Sequence, residues 1–94
     1  MARRVPMDPR NACVEMVGVD SPLLFATGHD EAIIGIVERE GVELVVYDAS
    51  VVVKTLCKRD KMTRQEAEGF FAFNIAGAWI GEGTPLFLRP IQAR

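Results

Sequence analysis

Asn74, Trp79, Glu82 and Thr84 are residue types that could hold a small molecule between them. An amide offers donors and acceptors, an indole a flat apolar wall, and a carboxylate a charge at the mouth of a pocket. Gly81 and Gly83 would let backbone approach a ligand closely. The spacing puts Asn74 on one helical face with Phe70, Phe71 and Ile75, which predicts a buried amide. Buried amides mostly satisfy backbone groups, so the plainer expectation is that Asn74 ties the Gly81–Thr84 loop to its helix. A second group is Tyr47 and Asp48, at the end of an apolar strand. Strand ends are common ligand sites, but Asp48 equally suits a helix N-cap. A third is His29, Asp30 and Glu31, joined by Asp48, which as a set could bind a metal or act as acid and base. Neighbouring positions at a helix start do not face each other, and capping accounts for the carboxylates. No Walker loop, Rossmann fingerprint, nucleophile elbow or zinc-ligand spacing occurs. The expectation is no catalytic residue, no metal and no cofactor.

These groups need elements to position them. Thr63 and Glu66 have capping-box spacing, and the apolar positions after them predict a helix from Thr63 to about Trp79. Phe73, Ala76 and Ile80 form a second apolar stripe on that helix. A helix apolar on two sides is sandwiched in a core or shared with a partner, so these three are candidate interface residues. Val42–Tyr47 is β-branched, short and nearly all apolar, which predicts a central strand. Residues 51–57 carry a β-branched triplet, yet Val52, Val53, Leu56 and Cys57 recur at helical spacing; helix is chosen over strand. Thr27 to Glu40 reads as a first helix, with Ile33, Ile36 and Val37 inward and Gly41 beyond its end. Cys13–Val17 reads as a short strand, and Leu23-Leu24-Phe25 as a strand or a plug against the core. Thr84–Leu88 reads as a last strand with Pro85 at its start. Residues 1–11 and 89–94 read as flexible tails, since Pro6 and Pro9 disfavour helix and termini concentrate disorder.

Composition sets the limits. The chain has 94 residues, enough for one domain, and 49% of them are hydrophobic, which argues against general disorder. The formal net charge of -2 gives no overall drive toward nucleic acid, leaving only Arg3, Arg4 and Arg10 as a basic arm that makes such binding a remote expectation. Cys13 and Cys57 lack metal-ligand spacing and read as a reduced pair. No apolar run is long enough to span a membrane, and a cytoplasmic location is expected.

Leu24–Gly35, Val46-Tyr47-Asp48, Arg59–Thr63 and above all Phe73-Asn74-Ile75-Ala76-Gly77-Ala78-Trp79-Ile80-Gly81-Glu82-Gly83-Thr84-Pro85 resemble a family of small uncharacterised proteins of bacteria and tailed phages. The resemblance covers about residues 23–88. It implies a compact standalone domain and supplies no activity, cofactor or catalytic residue.

The expected fold is therefore α+β, with three helices on a small sheet in which Val42–Tyr47 is central and Thr84–Leu88 lies beside it. The expected function is a protein-interaction module, homodimeric and non-catalytic, acting on itself and an unknown protein partner. The alternative is a small-ligand-binding domain using the end of the 63–79 helix.

Overall fold

The computed structural model describes residues 8–18, 22–77, 81 and 83–91. It is an α+β fold with three α-helices and one three-stranded sheet in the order β1-β2-β3. Strand β1 (Ile33–Arg39) pairs antiparallel with β2 (Val42–Asp48), and β2 pairs parallel with β3 (Leu86–Leu88). The central position expected for Val42–Tyr47 is the observed one. Both parities of β2 are buried there: Val45 and Tyr47 in the main core, Leu44 and Val46 on the opposite side of the pleat.

Two helices separate β2 from β3, as a parallel pair requires. Helix α2 (Ala49–Arg59) starts where Asp48 Oδ1 accepts from the Ser50 and Val51 backbone N–H groups at 2.9 and 3.4 Å. The Ser50 hydroxyl also donates to Asp48 Oδ1, at 2.6 Å, and holds this carboxyl below its usual range. Ala49, Val52, Val53 and Leu56 are its buried face. Helix α3 (Arg64–Phe70) begins with the full capping box. Thr63 N–H donates to Glu66 Oε1 at 2.9 Å, and Glu66 N–H donates to Thr63 Oγ1 at 3.1 Å.

Three expectations need correction. Residues 33–39 are strand, not helix. The spacing of Ile33, Ile36 and Val37 fits a helical face, but β-branched density and the turn beyond it decide the matter. Glu40 and Gly41 both have positive φ, 53° and 82°, the pattern of a two-residue hairpin turn matched to strand twist. The helix start read at Thr27 is instead a short 3-10 turn, Asp30–Ala32, preceding β1. A break in register between Ile33 and Gly35 leaves Ile34 exposed.

The second correction concerns Cys13–Val17, which lies in helix α1 (Pro9–Val17) rather than a strand. The helix begins inside the stretch read as a flexible arm. Asp8 is its N-cap, accepting from the Arg10 N–H at 2.8 Å, and Pro9 takes the first helical position, where its missing N–H has no cost. Arg10 then pairs with Asp30 at 2.9 Å and lies 4.7 Å from the Phe25 ring centroid. Likewise Arg89, read as tail, donates to Glu68 Oε1 at 3.0 Å. Cys13 and Cys57 are both free thiols.

The third concerns Asn74. Helix α3 runs on into a π-helical stretch, Phe71–Ala76. A π turn inserts an extra residue and so shifts the phase of every side chain after it. Phe71 is buried and Ile75 partly so, while Asn74 faces solvent. Gly77 fits this tight turn: a Cβ there would stand 3.0 Å from the Ala72 carbonyl oxygen.

Leu23, Phe25 and Ala26 form no strand and plug the core instead. The Ala26 N–H donates to the hydroxyl of the fully buried Tyr47 at 2.7 Å. Tyr47→Phe keeps the ring and strips that N–H of its acceptor, so stability should fall by about 1–3 kcal/mol in urea denaturation. A loss below about 0.5 kcal/mol would mean that water replaces the hydroxyl freely.

Candidate functional site

Four segments distant in sequence converge on one cleft of about 390 Å³. The chain before β1 brings Phe25, Ala26, Thr27 and His29. The end of α2 brings Leu56, Arg59 and Asp60. Helix α3 and its π-helical continuation bring Phe70, Asn74 and Ile75, and the run into β3 brings Thr84, Pro85 and Phe87.

Each wall is held from behind. Phe87 stacks on Tyr47 at 5.3 Å between ring centroids and meets Phe71 edge-on at the same distance. Thr84 closes its turn by donating from N–H and hydroxyl to the Gly81 carbonyl, at 3.0 and 2.6 Å. Arg59 borders the cleft as an exposed side chain: its Nη1 donates to the Gly28 carbonyl at 2.8 Å and its Nε to Asp60 Oδ1 at 3.3 Å. That first bond ties the end of α2 to the turn carrying His29, where Gly28 adopts a φ of 87°.

His29 is the unusual member. The residue lines the cleft, yet it is only 6% exposed, and its Nδ1 is buried with no hydrogen-bond partner. Such an orphan is rare, because an unpaired buried polar atom costs free energy. Burial, and then the nearby Arg59 charge, push the imidazole below its ordinary pKa of 6.5, so the ring is neutral at pH 7. A neutral imidazole carries one N–H. With Nδ1 enclosed, a proton on Nε2 leaves only an acceptor unpaired, which interiors tolerate better than an orphaned N–H.

The residues singled out in the sequence are thus distributed unevenly. Asn74 and Thr84 line the cleft. Trp79, Glu82 and Ile80 lie outside the described residues. Tyr47 sits beneath the cleft in the core, with its hydroxyl engaged by Ala26, and Asp48 caps α2. His29, Asp30, Glu31 and Asp48 diverge: Asp30 pairs with Arg10, and Glu31 accepts from the Thr55 hydroxyl at 3.1 Å. Among the described residues no three His, Cys, Asp or Glu side chains gather as a metal site would require. Sequence reasoning placed Phe70 on the helical face of Asn74 and Ile75 without naming it for the site, and missed Phe25, Arg59 and Phe87 there, for which no local spacing gave a signal.

A second surface lies beside the cleft. Phe73 is 84% exposed and Phe70 40%, with Ala76 also open to solvent. The stripe opposite the buried face of this helix is therefore uncovered at the two of its three positions that are described.

Comparison with protein-family models, curated proteins and solved structures finds no match.

Because His29 is the only histidine, it dominates the stability change just below neutrality. Its folded pKa lies below the unfolded value, so the unfolded chain takes up the proton first. Stability should be complete above about pH 6.5 and fall as pH drops toward the folded pKa. Denaturation midpoints between about pH 7.5 and about pH 5.5 should show this slope, and His29→Gln should flatten it. An equal slope in both proteins would show that the ring is not buried neutral.

Proposed function

We propose that this chain is a small-ligand-binding domain, with its site in the cleft between the end of α2 and the π-helical part of the third helix. The observation that carries this reading is His29, a buried residue with an enclosed, unpaired ring nitrogen, set among the apolar and polar residues that line the hollow. The hollow's size, about 390 Å³, falls in the range of small-molecule pockets. Its composition also fits that pattern, with several apolar walls and a few polar groups that would fix orientation. The π-helical stretch supports it further, since such stretches often occur at functional sites. No helix among the described residues is long and apolar enough to cross a membrane. The proposal places the domain in the cytoplasm, and the resemblance to small bacterial and tailed-phage proteins suggests its source.

The test is a fragment screen followed by amide NMR. A binder should shift the amides of Ile75, Thr84 and Phe87 saturably. Asn74→Trp, made at an exposed position on the rim, should abolish those shifts while leaving the rest of the spectrum in place. A broad library that shifts none of these amides would remove the reading.

A second reading, self-association through the third helix, is favoured by Phe73. An aromatic ring 84% exposed beside a half-open Phe70 is costly to leave in water. A homodimer would cover both. Sedimentation equilibrium should then find a dimer that Phe73→Glu converts to monomer, and a wild-type monomer at every concentration would exclude it.

A further inference from the structure

We infer that the cleft takes a small monocarboxylate with a flat apolar body, its carboxylate against Arg59 and His29 and its ring among Phe25, Phe70 and Phe87. The inference rests on the ligand-binding reading and adds the ligand's charge and shape.

The charge follows from the polar lining. Among the described residues that line the cleft, Arg59 is the one cation and Asp60 the one acid. Arg59 Nε is engaged by Asp60 and Nη1 by Gly28, so the fork is held in place and Nη2 is the remaining amino group. A guanidinium held from behind is already oriented, and charge-assisted bonds to carboxylate oxygens are its strongest use. Asp60 limits what can approach. It offsets part of the Arg59 charge and repels a dianion such as a phosphate monoester more than a monoanion. His29 supplies the complement. With the proton on Nε2 and not on the enclosed Nδ1, the ring carries an N–H that a carboxylate oxygen can accept from, and such a donor discriminates against ligands with nothing to accept.

The shape follows from the walls. Phe25, Phe70 and Phe87 stand on three different segments of the chain and face one hollow. Flat rings pack on aromatic faces or edges at modest separations, beyond the gain from burial alone. Pro85 and Ile75 add apolar surface without polar atoms of their side chains. At about 390 Å³ the space lies near the lower limit for ligand pockets, so a single-ring metabolite fits the scale better than a nucleotide.

The experiment compares benzoate, benzamide and phenyl phosphate as probes by amide NMR titration of the full chain. Benzoate should bind with saturable shifts at Thr27, Ile75 and Phe87. Benzamide, equal in shape and neutral, should bind about tenfold more weakly. Phenyl phosphate should also bind more weakly than benzoate. Arg59→Gln should erase the preference for benzoate over benzamide, read as the ratio of the two affinities in the same variant. Equal binding of benzoate and benzamide, tighter binding of phenyl phosphate, or a preference that survives Arg59→Gln would each overturn the inference. If none of the three binds but library fragments do shift the cleft amides, the carboxylate class falls and the ligand-binding reading stands. If library and probes are both silent, the ligand-binding reading falls as well.

Discussion

The buried side chain of Tyr47 joins three segments of this molecule through one hydrogen bond and one ring stack. It sits on the central strand, fully enclosed, and its acceptor role toward the Ala26 N–H fastens the irregular 23–26 segment across the sheet. The same ring stacks on Phe87, and Phe87 meets Phe71 edge-on. One strand residue thereby connects the loop before β1, the short third strand and the third helix. In so small a chain the core is limited, and a contact that joins three segments does more than one that joins two. Desolvation also pushes the Tyr47 phenol up, so it stays neutral throughout the physiological range.

The cleft is what this arrangement leaves unfilled. Phe87 gives one side to Tyr47 and Phe71, yet still lines the hollow. The π-helical stretch turns Ile75 inward and Asn74 to the rim, so the hollow gains an apolar wall and a polar lip from adjacent residues. Arg59 joins the end of α2 to the Gly28 carbonyl and so fixes the approach of the His29 turn. Among the described residues, His29 Nδ1 is the one buried side-chain nitrogen or oxygen without a hydrogen-bond partner, which makes it conspicuous. It is the physical reason for reading the hollow as a site rather than a packing defect.

Much of the frame was legible because it is local. A β-branched run between Gly41 and Asp48 can only be a strand of few residues, and Asp48 announces the helix after it. Thr63 and Glu66 carry their own pairing rule. What was not legible depends on phase or distance. Ile33, Ile36 and Val37 fit helical spacing, and strand alternation is masked by the register shift between Ile33 and Gly35, so the hairpin turn at Glu40 and Gly41 was the signal to weigh. Pro9 excludes a helix interior but welcomes a helix start, and Asp8 before it was the cue. Asn74 was placed inward by extrapolating an α-helical period through a stretch whose period changes. The cleft was legible only in part: Asn74 and Thr84 were named, but Phe25, Arg59, Phe70 and Phe87 join them only through tertiary packing. His29 was visible as a residue type, yet its significant neighbour is Arg59, whose bond to Gly28 spans 31 positions of the chain.

Whether His29 is an enclosed neutral ring beside an open hollow can be read directly from a long-range proton–nitrogen spectrum of its imidazole. At neutral pH one tautomer is expected, with the proton on Nε2 and Nδ1 bare, and titration confined below the ordinary value of 6.5. Nitrogen shifts averaged between tautomers, with a midpoint at or above that value, would describe a solvated ring and contradict the claim.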